Sequence, residues 1–367
     1  MRERLRPTWV EVDLGAIRRN AEALRPEGAE LMAVVKANAY GHGDTAVATA
    51  AIEAGATWLG VALVEEGRAL RDAGLDARIL VLSEPPPGSE AAVWAADLTP
   101  TVYTDQGLRR LAAAAPEAGR AVHVKVDTGM HRVGVWPPEA VPAFLRSVAG
   151  AGLSVEGLWT HLASSEDDRA FSEHQLARFR AVVEAAEAVG LRPAYLHAAN
   201  SGGVLRHPEA DLDLVRPGIA LYGIAPAPGV GAERGLRPAL SWRSKVTMAK
   251  RLPAGERLSY GRRYELATDA WVATVPVGYA DGYPRALSSR ADVLIRGRRC
   301  RVGGNVTMDQ LLVDCGDLAI QTGDDVVLLG EQGGETIDAW ELAGLAGTIA
   351  YEIVTRIGER VPREHVG

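Results

Sequence analysis

Leu31-Met32-Ala33-Val34-Val35-Lys36-Ala37-Asn38-Ala39-Tyr40-Gly41-His42-Gly43 puts a lysine where an apolar run stops and a glycine-bearing loop begins. Five apolar residues bounded by a polar turn read as a buried strand. The arrangement recurs outward from this segment. Further strands are expected over Leu59–Val64, Ile79–Leu82, Thr101–Tyr103, Val122–Val126, Val155–Thr160, Ala194–Leu196 and, last, near Ile219–Tyr222. Between them lie stretches rich in alanine, leucine and arginine, including Asp44–Ala54, Gln106–Ala115, Pro138–Ala149 and Glu173–Val189. These residue types are strong helix formers. Eight β/α units in about 200 to 250 residues are what a (β/α)8 barrel of the TIM type needs, with its helices outside.

After the Pro- and Gly-rich stretch Ala225–Pro238 the pattern changes. Ser244–Lys250 alternates polar and apolar, and Trp271–Val277 is β-branched and aromatic. Asp292–Gly304 reads as two strands around Arg296-Gly297-Arg298, and Asp325–Leu329 adds another. One short helix is expected over Ala339–Ala346. The expected organisation is an α/β barrel over 1–237 and a mostly β C-terminal domain over 238–367, with which a first strand at about 7–13 can pack.

Composition narrows the function. Forty basic and 47 acidic residues give a net charge of −7, which disfavours nucleic acid and anionic membranes as principal partners. Cys300 and Cys315 are the only cysteines, too few for a disulfide framework or a cysteine-rich zinc module, and no metal site is expected. The charged start Met1-Arg2-Glu3-Arg4-Leu5-Arg6-Pro7 has no apolar run behind it, so the expectation is a cytoplasmic protein without signal peptide or anchor.

At the mouth of a barrel, where the strands end, a lysine is partly withdrawn from water. It can then lose its proton and condense with a carbonyl cofactor, the chemistry that pyridoxal phosphate requires. A surface lysine capping a strand is the plainer reading for Lys36 taken alone. The surrounding residues change that balance. Val35 to Gly43 resembles the cofactor-lysine motif of alanine racemases, and the likeness continues in Lys125-Val126-Asp127-Thr128-Gly129-Met130-His131-Arg132-Val133-Gly134, Thr160-His161-Leu162-Ala163 and His197-Ala198-Ala199-Asn200-Ser201. It recurs in Val215-Arg216-Pro217-Gly218-Ile219-Ala220-Leu221-Tyr222-Gly223, Ser259-Tyr260-Gly261, Gly278-Tyr279-Ala280-Asp281-Gly282-Tyr283, Met308-Asp309-Gln310 and Tyr351-Glu352-Ile353. Many short motifs in one order carry far more weight than any one of them.

The resemblance implies a pyridoxal 5′-phosphate enzyme that interconverts L- and D-alanine and so supplies D-alanine for peptidoglycan. Lys36 and Tyr260 would be the acid/base pair on opposite faces of the substrate, Tyr260 supplied by the second chain of a homodimer with shared sites. His161 would support the Tyr260 phenolate. Arg216 would face the pyridine nitrogen and leave it unprotonated. Ser201, Gly218 and Ile219 would hold the phosphate with the hydroxyls of Tyr40 and Tyr351, and Asn200 would be a further cofactor-binding residue beside them. Arg132 and Met308 would meet the substrate carboxylate, Arg132 also near the cofactor's phenolic oxygen. Lys125 would be a candidate for carbamylation, and Tyr279 and Arg285 would line the entrance.

Each residue also has a plainer reading when taken alone: a turn for Pro217-Gly218, a structural ion pair with Asp211 or Asp213 for Arg216, a core histidine for His161, a packed aromatic for Tyr260, and a Lys125–Asp127 pair. The chain departs from the common family pattern at Thr307, where cysteine is frequent, at Asn305, where arginine is frequent, and at Ala350, where proline is frequent. None is an acid/base position, but they bear on entrance polarity and substrate range. A racemase for serine, lysine or several amino acids would share every catalytic residue named. A non-catalytic pyridoxal-phosphate protein is the alternative of a different class, disfavoured by the second domain with Tyr260 and Met308.

Overall fold

The structure, a computed structural model, describes residues 5–367. The chain divides into two compact units, one of residues 16–39 and 44–237, the other of residues 5–15, 40–43 and 238–367.

The first unit is the expected barrel. Its parallel strands are Glu30–Val34, Trp58–Val61, Arg78–Val81, Thr99–Val102, Ala121–Lys125, Ser154–Trp159, Tyr195–His197 and Leu214–Val215. They follow one another in chain order around the sheet, and the last pairs with the first, Glu30 opposite Leu214 and Leu31 opposite Val215. Between the seventh and eighth strands the Asp213 and Arg216 N–H groups donate to Leu196 O and Ala199 O at 2.9 and 3.0 Å, which nearly completes the circle. The barrel interior holds Met32, Trp58, Leu80 and Leu214, all fully buried. Burying an aliphatic side chain of this kind contributes about 1.5 to 3 kcal/mol. Two of the helices begin at side-chain caps: Thr104 Oγ1 accepts from Gly107 N–H at the start of Asp105–Ala114, and Asp168 from Phe171 N–H at the start of Arg169–Glu187.

The eighth strand departs from expectation. Ile219–Tyr222 forms a short 3-10 turn, and the strand is Leu214–Val215. Pro217 has no N–H to give a neighbouring strand, and the chain reverses at Gly218, so the apolar run after it winds instead of extending. A four-residue apolar run carries no period that separates strand from helix.

In the second unit a ten-stranded sheet dominates. The opening strand Thr8–Asp13 pairs antiparallel with Leu240–Lys245 and parallel with Arg363–Val366. The single strand expected over Ser244–Lys250 is two, Leu240–Lys245 and Met248–Leu252, because Val246 and Thr247 turn the chain between different neighbours. The hairpin Asp292–Ile295 with Arg298–Val302 and the helix Ala339–Ala346 lie where expected. A second short helix, Ala350–Thr355, was not anticipated. No helix among the described residues is long and apolar enough to cross a membrane.

Candidate active site

The segment after the first barrel strand has an uncommon backbone. Ala37, Asn38, Ala39 and Tyr40 all have positive φ, between 51° and 53°, so Lys36–Gly41 is a left-handed helical turn. Left-handed helix costs L-residues about 1 to 2 kcal/mol each, and single residues rather than runs visit it. Surrounding bonds hold it: Glu66, from the helix after the second strand, accepts from Ala37 N–H at 2.7 Å while also capping its own helix through Ala62 and Leu63 N–H. Asn38 Oδ1 accepts from Asp44 N–H at 3.0 Å. Backbone strain of this kind concentrates at functional sites.

Around the same end of the barrel the other strands deliver cationic and aromatic groups. Lys125 Nζ lies 4.4 Å from the ring centre of Trp159, and the Arg216 guanidinium lies 4.7 Å from the same ring. Burial, then the charge of Arg132, lowers the Lys36 pKa against a smaller opposing effect of Glu66. Burial followed by Arg132 and Arg216 brings Lys125 down to about 7. Both amines are therefore poised to lose a proton more easily than an ordinary lysine. The carboxylate of Asp127 accepts from Gly129 and His131 N–H at 2.9 and 3.0 Å, and no carboxylate stands within ion-pair distance of Lys125 among the described residues. The plain Lys125–Asp127 pair is thus not formed.

Arg216 is buried without a carboxylate beside it. Its Nη2 donates to Thr160 O at 2.8 Å and Ala198 O at 3.1 Å, and its Nη1 stands 3.0 Å from His197 Nδ1. His161 Nδ1 lies 3.5 Å from Nη2. Burial lowers the guanidinium pKa to about 9, which still leaves a cation at neutral pH. Burial first and Arg216 second push His161 well below the usual imidazole range, so this ring is neutral. The structural pairing of Arg216 with Asp211 or Asp213 is absent: Asp213 accepts from Leu196 N–H and faces Arg192.

Gly218 and Ala220 N–H both donate to the buried Ser201 Oγ, at 2.9 and 3.2 Å. Both N–H groups are directed at that hydroxyl beside the turn Ile219–Tyr222, which orients the Ser201 O–H so that its own proton is left for another acceptor. Asn200 is engaged locally: its Oδ1 accepts from Gly203 N–H at 2.9 Å and from Ser165 Oγ at 2.8 Å, so it caps the helix Ser201–Arg206. Arg132 is exposed.

In the second unit Tyr40 and Tyr351 are neighbours, with ring centres 6.2 Å apart, and burial raises the Tyr40 pKa. Tyr260 and Met308 are exposed, at 76% and 53%, and Tyr279 is 40% exposed. Tyr260 sits on a tight turn in which Ser259, Gly261 and Arg262 have positive φ, and its carbonyl accepts from Asn305 Nδ2 at 2.7 Å. Arg285 lies in the short turn Arg285–Leu287.

Sequence reading assigned no role to Trp159, His197, His123 or Glu156. Trp159 stacks on the His197 ring at 5.4 Å and 8°, and His123 Nδ1 stands 2.9 Å from His197 Nε2. His197 lay within a quoted motif, a signal that could have singled it out. His123 is one polar residue within an apolar strand, a pattern that reads as core.

A parallel barrel carrying a lysine of lowered pKa, a second lysine and a buried arginine at its C-terminal mouth, joined in sequence to a β-rich unit, defines a two-domain barrel enzyme with a lysine-centred site. Residues 12–226 match the family described as alanine racemase, N-terminal domain, and residues 239–365 match alanine racemase, C-terminal domain. The alanine racemase of Symbiobacterium thermophilum is 52% identical over 99% of this chain and 98% of its own length. That of Carboxydothermus hydrogenoformans is 44% identical over 99% and 100%. A crystal structure of alanine racemase from Streptomyces lavendulae superposes with a TM-score of 0.93 at 41% identity, covering 100% of this chain and 98% of that one. The chain belongs to the alanine racemase family.

Proposed function

We propose that the chain interconverts L-alanine and D-alanine by two-base transfer of the α-proton, with pyridoxal 5′-phosphate held at Lys36. The observation that carries this reading is the pairing of Lys36, its pKa lowered by burial and Arg132, with a buried, carboxylate-free Arg216 at one barrel mouth. The residues fit the cofactor: the Ser201 hydroxyl, oriented by Gly218 and Ala220 N–H, is assigned to its phosphate together with the backbone of Gly218 and Ile219 and the hydroxyls of Tyr40 and Tyr351. When bound, the cofactor supplies an electron sink that acidifies the Cα–H of an amino acid joined to it.

Lys36, whose amine gives up its proton more easily than an ordinary lysine because of burial and Arg132, removes or returns the α-proton on one face. Tyr260 acts on the other. Its exposure suits a residue that completes the site of a second chain, and Met308, exposed as well, would bring its backbone to the substrate carboxylate there. The active form is accordingly a homodimer with shared sites. Neutral His161 can accept a hydrogen bond from a donor or give one to a phenolate, which makes it the partner for Tyr260. Arg216 is a donor that keeps its own proton, so a ring nitrogen facing it stays unprotonated and negative charge remains nearer Cα, where reprotonation is quick. Arg132 binds the carboxylate, and Tyr279 and Arg285 line the entrance. Asn200 serves by holding the helix that carries Ser201. The setting is cytoplasmic, without nucleic-acid or membrane partners, and the product D-alanine feeds peptidoglycan.

A broader racemase acting on serine or lysine uses the same acid/base residues, since one added methylene changes binding by only about 1 to 3 kcal/mol. Deuterium exchange at Cα, measured across a panel of amino acids, separates the two. Exchange fastest with alanine supports the reading, and none with any amino acid refutes it. Borohydride reduction of the purified protein followed by peptide mapping places the cofactor on Lys36; label on another lysine removes the central assignment.

A further inference from the structure

Arg216 is a cation buried to 3% exposure whose hydrogen-bond partners are two carbonyls and imidazole nitrogens. An unpaired buried charge is costly, so its compensation has to come from somewhere. From Arg216 a chain of polar contacts runs down the barrel interior. Arg216 Nη1 stands 3.0 Å from His197 Nδ1, His197 Nε2 stands 2.9 Å from His123 Nδ1, and His123 Nε2 stands 3.5 Å from Glu156 Oε2. Glu156 Oε1 in turn faces Arg78 Nη1 at 3.3 Å. Arg78 opens its strand at the N-terminal end of the barrel, so the chain links the mouth to the foot.

The direction of this chain follows from its ends. A guanidinium has only donors, so His197 Nδ1 accepts and its proton sits on Nε2. That N–H donates to His123 Nδ1, which places the His123 proton on Nε2, toward a carboxylate that can only accept. Both rings are neutral: burial lowers the pKa of each, Glu156 raising that of His123 to a lesser degree and Arg216 lowering both. Both are fully buried, His197 stacked on Trp159 and His123 tilted against Trp58 at 5.1 Å. Gly157 makes room for the His123 ring, since a Cβ there would stand 2.4 Å from Nδ1.

We propose that Glu156, at the foot of the barrel, is a positioning residue for Arg216 at its mouth, acting through His123 and His197 as a one-directional polar relay whose last link, His123 Nε2 to the Glu156 carboxylate at 3.5 Å, is electrostatic rather than a formed hydrogen bond. The carboxylate polarises His123, which makes its Nδ1 a stronger acceptor for His197, and His197 Nδ1 a stronger acceptor for the guanidinium. The buried cation is thus oriented and partly balanced by an anion that never touches it. Only the effect on reaction outcome rests on the proposed racemase chemistry; the protonation pattern does not.

Nitrogen-15 NMR of the histidine-labelled holoenzyme tests the relay, with signals assigned by His123→Asn and His197→Asn. Both rings should show a protonated Nε2 and a bare Nδ1. Glu156→Ala should let a second tautomer of His123 appear, lower racemisation about tenfold, the size common for loss of a group that orients a functional side chain, and raise side transamination per turnover. Glu156→Gln, whose amide oxygen still accepts, should keep the tautomer and restore part of the rate. A protonated Nδ1 or an imidazolium at His197 in the parent protein overturns the proposal. So does a Glu156→Ala protein whose tautomers or transamination ratio match the parent, whatever its rate. A parent protein that exchanges no Cα proton refutes the racemase reading instead, and leaves the tautomers readable.

Discussion

His123 and Gly157 stand opposite each other on neighbouring parallel strands, and the side chain that Gly157 lacks is the space the His123 ring fills. Gly157 is needed there for room. Gly157→Ala should cost about 1 to 3 kcal/mol through overpacking, read as a lowered midpoint in urea unfolding. Because the displaced ring loses its place between His197 and Glu156, racemisation should fall as well. A variant that unfolds at the parent midpoint and turns over normally would show that the ring tolerates the methyl.

Lys36 and Tyr260 are proposed to meet only when two chains combine. Mixing a Lys36→Ala chain with a Tyr260→Phe chain should therefore recover part of the activity that each lacks, because a heterodimer contains one intact site. Subunit exchange is followed in parallel by mass spectrometry of the intact dimers. Exchange without recovery would favour a site built within a single chain.

Arg216→Glu replaces a cation by an anion facing the same place. An acidic partner favours protonation of a ring nitrogen, so charge should spread further from Cα, slowing racemisation by at least tenfold and raising side transamination. The measurement is the ratio of pyruvate formed to alanine inverted. An unchanged ratio would mean that Arg216 has no electronic influence.

Lys125, with a pKa brought to about 7, is a substantially neutral amine at physiological pH and can add carbon dioxide. The reactive neutral form prevails above about pH 7 and is lost as pH falls through it. Carbon-13 NMR after equilibration with labelled bicarbonate should show a carbamate signal at pH 8 that disappears near pH 6. Lys125→Ala should abolish it, and a signal surviving in that variant would assign the carbamate elsewhere.

How far the sequence could be read depends on what each feature requires. The barrel strands were legible because each is an apolar run ended by a polar loop, and Lys36, Lys125, His161 and Arg216 could be singled out because they sit in contiguous motifs at strand ends. The eighth strand was placed too late because Ile219–Tyr222 is as apolar as a strand and only the Pro217-Gly218 reversal decides otherwise. The relay was illegible for another reason. His123, Glu156 and His197 are separated by long stretches of chain, and only barrel closure brings their ring and carboxylate atoms into line. Nor does anything in Ala37-Asn38-Ala39-Tyr40 announce positive φ, since alanine and tyrosine both avoid it.

That left-handed turn bears on the order in which the protein comes together. Four L-residues at positive φ carry a penalty on the order of 4 to 8 kcal/mol, comparable to the whole net stability of many domains. No local preference can form such a turn, so it has to wait for the first two strands and the Glu66 helix to supply the bonds that hold it. Lys36 should therefore reach its working position only after those elements are in place. Damage that merely loosens the helix bearing Glu66 should release the lysine while the rest of the barrel still stands.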